Sequence, residues 1–482
     1  MKKENIKKGK IMSLENTIKN RKGITLIALV VTIVVLLILA GITISLVFSE
    51  NGIIAKAREA ADKTKEAVIN EQAQMNELAG YMENMLNGIG GSGTTPEPEP
   101  EPEPELPADG SYSEEKGVNT PNLGEGMTAI KWDENANSGA GDWVETEGND
   151  PDWYDYSAKK WANAKTVDGS MWVWIPRYAY SIPSEGYHTS NETEISIEFM
   201  KGTSNEGATG QTIVEYNDST TTNYTQFPSG YVIHPAFNYG STVSGIWVAK
   251  FEASQNGSAI QVKPGVQSWR SITVDSIYTN CLNYDSTTLG NANLNSHMMK
   301  NDEWGAVAYL SRSKYGTNKE VTINSNSSYY TGGGSGNTYV NNGAQSTTGN
   351  VWGVYDMSGG AWENVAAYVD NGNGNLTSYG KSLVNGDSKT KNVYSQTGTD
   401  SNTNNYNTNK GVYGDAVYET STSGSGTTSW YSDYSDFPNA GIPFFVRGGG
   451  YNDGSNAGVF YFGFSNGDGS SYHSFRPVLV AN

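Results

Sequence analysis

The chain has little thiol and little imidazole: one cysteine, Cys281, and four histidines in 482 residues. A single cysteine excludes an intramolecular disulfide framework and a thiolate metal cage. His188, His234, His297 and His473 are scattered, with no H-x-x-x-H or similar ligand spacing. Positive charge is also scarce. Lys+Arg number 32 against 51 Asp+Glu, a net charge of −19. A phosphate backbone is gripped by basic patches, so this balance speaks against a nucleic-acid partner. What the chain has in abundance is glycine (56), tyrosine (30) and tryptophan (12), the composition of a loop-rich fold with aromatic surfaces.

Residues 1–23 carry Lys2, Lys3, Lys7, Lys8, Lys10, Lys19, Arg21 and Lys22 against Glu4 and Glu15. No charge follows from Ile24 to Phe48. At about 1.5 Å per residue that run reaches roughly 37 Å, enough to cross a bilayer core of about 30 Å. The basic flank predicts a cytoplasmic N-terminus and a C-terminal bulk outside. A secretory signal would have a shorter apolar region and a small-x-small cleavage site, whereas this run passes into Ser49-Glu50-Asn51-Gly52.

The junction Lys22-Gly23-Ile24-Thr25-Leu26-Ile27 resembles the leader of type IV pilin-like proteins. That resemblance, over about the first 65 residues, implies cleavage after Gly23 by a membrane peptidase and methylation of the new N-terminus at Ile24. Ala28 stands where pilins usually carry the glutamate that pairs with a neighbouring subunit, which fits a tip or minor subunit better than a mid-filament one. The alternative is a plain single-pass anchor that is never cut. Over 53–86, Ile53, Ala57, Ala60, Val68, Met75, Leu78, Met82 and Met85 form one weak apolar stripe, either a packed seam or a solvated stalk. Residues 88–109 form a linker, flexible over its Gly/Ser part and extended over its Pro-Glu repeats.

From residue 110 onward the composition is uniform, with no internal repeat. Predicted strands are Met171–Pro176, Gly245–Glu252 and Phe444–Arg447, and the clearest predicted helix is Asn301–Tyr315. Asn324–Thr348 and Asn371–Asn409 read as surface loops. Trp352 and Trp362 read as core aromatics, and Cys281 as a buried small hydrophobe. Gly448-Gly449-Gly450 reads as a tight turn rather than a phosphate cradle.

Four segments in order carry a second resemblance: Ile246–Glu252 (IWVAKFE), Asp302–Leu310 (DEWGAVAYL), Asn350–Glu363 (NVWGVYDMSGGAWE) and Val446–Tyr451 (VRGGGY), with a terminal Phe475-Arg476-Pro477. Together they resemble the formylglycine-generating-enzyme (sulfatase-modifying factor) branch of the C-type-lectin fold, over about residues 165–482. The enzymes of that family use a cysteine pair near the C-terminus to hold copper, and iron-dependent relatives use three histidines. No cysteine lies beyond Cys281, and Ser or Asn cannot replace thiolates on a cuprous ion. The resemblance therefore implies the fold without the enzyme. Asp356 and Glu363 raise the question of calcium, with a helix cap or a buried hydrogen-bond partner as the alternative. No other cofactor is expected.

The stretch from Arg447 to Leu479 resembles the variable region of proteins diversified by retroelements. In those proteins a reverse transcriptase mutates template adenines, so that asparagine codons become codons for Asp, Gly, Ser, Tyr or His, the types dense in 451–474. Over Val459–Ser465 the period is two. Phe460, Phe462 and Phe464 are expected to face the core, leaving Tyr461, Gly463 and Ser465 free to change. Tyr451, Asp453, Asp468, Ser471, Tyr472 and His473 are expected in adjoining turns. Tyrosine among small polar residues is the chemistry of an adaptable binding surface.

The expected fold class is α+β: a leader (1–23), a long pilin-like membrane and stalk helix (24–87), the linker (88–109) and a C-type-lectin-like domain (110–482) whose variable region spans about 447–477. The expected function is non-catalytic binding of a protein or glycan at the cell surface. The chain would be anchored in the cytoplasmic membrane or carried in a pilus-like filament with other pilins. The alternatives are a degenerate formylglycine-generating-type enzyme acting on exported substrates and a structural minor pilin without its own ligand.

Overall fold

A computed structural model describes residues 109–215, 226–290 and 294–481. The chain divides into two compact units, Met1–Pro102 and Glu103–Asn482, and the described residues belong to the second. The leader, Gly23 and Ile24, the apolar run, the stripe over 53–86 and the linker up to residue 108 lie outside the described residues.

Twelve strands carry the architecture. In chain order they are β1 (Met127–Asp133), β2 (Asp142–Glu145), β3 (Asn163–Thr166), β4 (Met171–Pro176), β5 (Gly245–Ala249) and β6 (Leu294–Met298). Then come β7 (Trp362–Asp370), β8 (Asn392–Ser395), β9 (Phe444–Gly448), β10 (Gly458–Ser465), β11 (His473–Phe475) and β12 (Pro477–Ala481). The first sheet runs β6-β12-β5-β4-β3-β1-β2, antiparallel throughout. Its centre is the β4–β5 pair, where Trp247 lies opposite Trp174 and Ile246 opposite Ile175. Every residue of both strands is buried. This explains why they read as unbroken apolar runs rather than as alternation.

The second sheet is mixed. It runs β8-β7-β9-β10 and continues through the short strands Ser435–Asp436 and Ser425–Gly426, with β11 added on β7. β7 pairs antiparallel with β9 and parallel with β8 and β11. One helix, α1 (Asn301–Ser311), is buried along its whole length. Glu303 Oε2 accepts the Lys300 N–H at its start (2.8 Å), and acidic Asp302 and Glu303 suit the positive end of the helix dipole. Trp304 Nε1 donates to the Val459 carbonyl (2.8 Å) and so ties the helix to β10.

Two buried arginines join these layers. Arg476, between β11 and β12, donates to Ala249 O of the first sheet (2.7 Å) and to both carboxylate oxygens of Glu363 in the second (2.6 and 3.1 Å). Arg447, on β9, reaches Tyr461 O (2.8 Å), Asn301 Oδ1 (2.7 Å) and Asp415 O (2.8 Å). A guanidinium fixes several acceptors at once because its donors are planar and rigid. The sequence run Phe475-Arg476-Pro477 is thus the weld between the sheets.

The α+β class is corrected by these findings, while the long N-terminal helix expected over 24–87 lies outside the described residues. Strand (29%) exceeds helix (20%), and no helix among the described residues is long and apolar enough to cross a membrane. The helical fraction is split among short pieces such as Asn402–Thr408 and the 3₁₀ segment Gly336–Gln345. Glycine, asparagine, serine and threonine favour caps and turns over helix interiors, so helices here start readily and stop soon.

Candidate functional site

The tail from Arg447 to Phe475 is built on β9, β10 and β11. After Arg447 the register slips, and the chain leaves the sheet through Gly448 (φ 83°) and Gly449 (φ 72°). A Cβ on Gly449 would sit 2.6 Å from that of Ala457, so this turn requires glycine on two counts. Tyr451 N–H then bonds to Gly360 O (2.8 Å). At the far end of the tail, the Trp362 N–H donates to Tyr472 O (3.1 Å), and His473 pairs with Trp362 in parallel register.

Main-chain bonds thus hold both exposed ends of the tail beside Trp362. The Trp362 ring meets Tyr472 edge-on at 6.0 Å and His473 at 5.9 Å. Tyr451 meets Tyr329 edge-on at 5.0 Å, and the Arg270 guanidinium lies 3.9 Å over the Tyr329 ring. Arg270 also donates to the Ser471 carbonyl (2.5 Å). Edge-to-face rings and a cation over a ring face are favourable geometries for these groups. The result is an aromatic patch of Tyr451, Trp362 and Tyr472, with Tyr472 half exposed at 50%.

The expected site residues divide into two sets. Tyr451, Ser471, Tyr472 and His473 come together at this patch. Tyr461, Gly463 and Ser465 are buried, so their expected free face is covered. Tyr461 Oη accepts a bond from Trp362 Nε1 (3.1 Å) and its ring stacks on Tyr434. Ser465 Oγ lies 3.3 Å from His473 Nδ1. Phe464 is partly exposed while Phe460 and Phe462 are closed off. The period of two separates two faces but both are packed, because the segment carrying Tyr434 and the Trp362 ring lie over the second one.

Asp453 and Asp468 serve the local turns. Asp453 accepts the Gly450 N–H (2.9 Å), and burial pushes its carboxyl above the usual range. Asp468 accepts from Asn466 Nδ2 (3.1 Å). Burial holds the His473 imidazole down to about 4, with Asp468 opposing. His473 is therefore neutral at physiological pH.

Asp356 and Glu363 are both buried, and protein groups occupy them. Asp356 accepts from Gly332 N–H (2.8 Å) and Asn324 Nδ2 (2.9 Å), while Glu363 is held by Arg476. Among the described residues no group of three or more His, Cys, Asp or Glu is placed to hold a metal ion. Cys281 is fully buried and its thiol pushed well above the usual value.

The sequence reading missed Trp362 as a surface residue, and with it Tyr329 and Arg270. Trp362 lies in an apolar-looking motif whose tryptophans read as core, and Trp352 is indeed buried. A cleft of about 560 Å³ opens beside Arg270 and Tyr330. Compared with known protein-family models and with curated proteins, the chain matches none. The three resemblances drawn from the sequence rest on the residues quoted for them.

Proposed function

We propose that this chain is a surface-displayed, non-catalytic ligand-binding protein whose C-terminal tail presents interchangeable side chains. The observation that carries the proposal is the patch of Tyr451, Trp362 and Tyr472, whose exposed residues hang on a backbone held by its own hydrogen bonds. Side chains on such a backbone can be exchanged with little effect on the main chain beneath them. Tyrosine on this surface gives contact area at low entropy cost, with serine and asparagine adaptable around it. The resemblance of residues 447–479 to retroelement-diversified tails supports the same reading, as does the apolar run 24–48 for display at a membrane.

The test is deep sequencing of the codons for residues 440–482 in a population of the source organism. The expected result is substitution at Tyr451, Ser471 and Tyr472, with Phe460, Phe462, Arg447 and Arg476 fixed. A tail that is uniform across many cells and strains overturns the diversified-receptor reading.

A further inference from the structure

We propose that the cleft beside the patch binds an oligosaccharide, and that it does so without a metal ion. The proposal rests on reading this face as the ligand-binding one, and it adds a fixed subsite to the changeable tail. The cleft, about 560 Å³, is lined by Gln255, Gln261, Gln267, Ser268, Trp269 and Tyr330, with Arg270 at its side. That volume falls in the range of roughly 300–1,000 Å³ common for small-ligand sites.

The lining chemistry sets the ligand class. In a chain of net charge −19, no carboxylate and no lysine line this cleft. The single cation, Arg270, lies over the Tyr329 ring and donates to the Ser471 carbonyl, both neutral partners that leave its charge at the edge of the cleft. Beside it stand primary amides, hydroxyls and aromatic rings. An amide both donates and accepts, which suits the neighbouring hydroxyls of a sugar, and an aromatic ring suits its C–H face.

Two of the amides are oriented in advance. Gln267 Nε2 donates to Ser328 O and Gln261 Nε2 donates to Gln255 O, each at 3.2 Å. Each bond uses one amide proton and leaves the carbonyl oxygen and the second proton for a ligand.

The backbone argues against an extended peptide here. Such a ligand adds to a sheet edge through free main-chain groups. Around the cleft those groups already pair with one another: Ser254 bridges Ser268, Gln267 bridges Tyr330, and Ser254–Asn256 forms a hairpin with Ala259–Gln261. Recognition at this cleft falls to side chains. Arg270 links it to the tail through Ser471, so a bound sugar would be flanked by the positions open to exchange.

The experiment uses the full chain solubilised in a detergent without a sugar head group, in the presence of EDTA. Immobilised malto-, cello-, xylo- and chito-oligosaccharides and an acidic oligogalacturonide series, each of three to five units, are the probes, with a set of immobilised peptides alongside. The expected result is retention of at least one sugar series, with Kd raised tenfold or more by the double variant Gln261→Ala/Gln267→Ala and an unchanged melting temperature. Retention of no sugar, retention of peptides only, or dependence on a divalent cation overturns the proposal. Sugar binding that survives the amide variants but is abolished by Tyr451→Ser or Tyr472→Ser also overturns the cleft, while leaving the patch as the ligand site. A uniform tail in the population, with the amide dependence intact, would instead remove the diversified reading and leave the cleft standing.

Discussion

Arg476 and Glu363 meet as a two-pronged ion pair, 2.6 and 3.1 Å between heavy atoms, with side-chain exposures of 0% and 1%. The pair bridges the two sheets, because the same guanidinium also holds the carbonyls of Ala249 and Tyr355. Breaking it from one side leaves a carboxylate buried without its cation.

Arg476→Met is therefore expected to destabilise the fold by about 3–5 kcal/mol, the range for one-sided loss of a buried ion pair. Arg476→Lys should fall between it and the native chain, since an ammonium cannot reproduce the planar two-pronged bond. Urea denaturation of the three proteins checks this. Equal stability of Arg476→Met and the native chain would remove the weld.

The tail should divide sharply in its tolerance. Tyr472→Ser and Ser471→Ala are expected within about 0.5 kcal/mol of the native stability, as for surface changes away from packed features. Tyr461→Ser should cost roughly 3 kcal/mol, because it empties a buried ring site and strips Trp362 Nε1 of its acceptor. Thermal unfolding of single variants decides between this division and the simple alternation of a half-buried strand.

Glu419 offers a pH signature. It is buried with Tyr180, Tyr309 and the Gly414 N–H as its partners, and burial raises its carboxyl from 4.5 to about 7. Between those values the folded chain keeps a proton that the unfolded chain releases. Its contribution is thus fully present below about 4.5 and is lost as pH rises through 7, amounting to roughly 3 kcal/mol. His234, depressed to about 3 by burial, and His473, at about 4, act in the opposite sense and lose stability as pH falls below 6.5. The measurement is therefore a difference: the stability of the native chain minus that of Glu419→Gln should fall by about 3 kcal/mol from pH 4.5 to 8. A flat difference rules out the raised carboxyl.

Gly305→Ala reverses an ordinary expectation. Alanine in a helix interior normally stabilises by about 1 kcal/mol over glycine. Here the added Cβ would stand 2.0 Å from the Gly414 carbonyl oxygen, so the variant should be less stable, by about 1–3 kcal/mol of overpacking. A melting temperature at or above the native value would disprove that close approach.

The central strands were legible in the sequence because burial on both faces leaves an unbroken apolar run: β4 spans Met171–Pro176 as expected, and β9 extends the expected Phe444–Arg447 by one residue. The expected strand Gly245–Glu252 stops at Ala249. The Lys250 N–H makes a last bond to Met171 O (3.0 Å), and its buried ammonium donates to the Asn163 side chain and to the carbonyls of Val351 and Gly353. No local pattern announces partners a hundred residues away. The helix Asn301–Tyr315 ends at Ser311 and is packed all round rather than on one face, since sheet and loop enclose it. At the site, the tail's exposed tyrosines were readable from composition. The framework half, Trp362 with Tyr329 and Arg270, was not, because it comes from three distant segments that only the fold brings together.

Arg447 and Arg476 bracket the tail, each fastened to several buried acceptors. The strand between them, β10, is consequently held in register from both sides. A residue inserted or removed within β10 would invert which side chains meet the core and pull one guanidinium from its acceptors. Within β10 the fold therefore tolerates exchange of side chains more readily than a change in chain length.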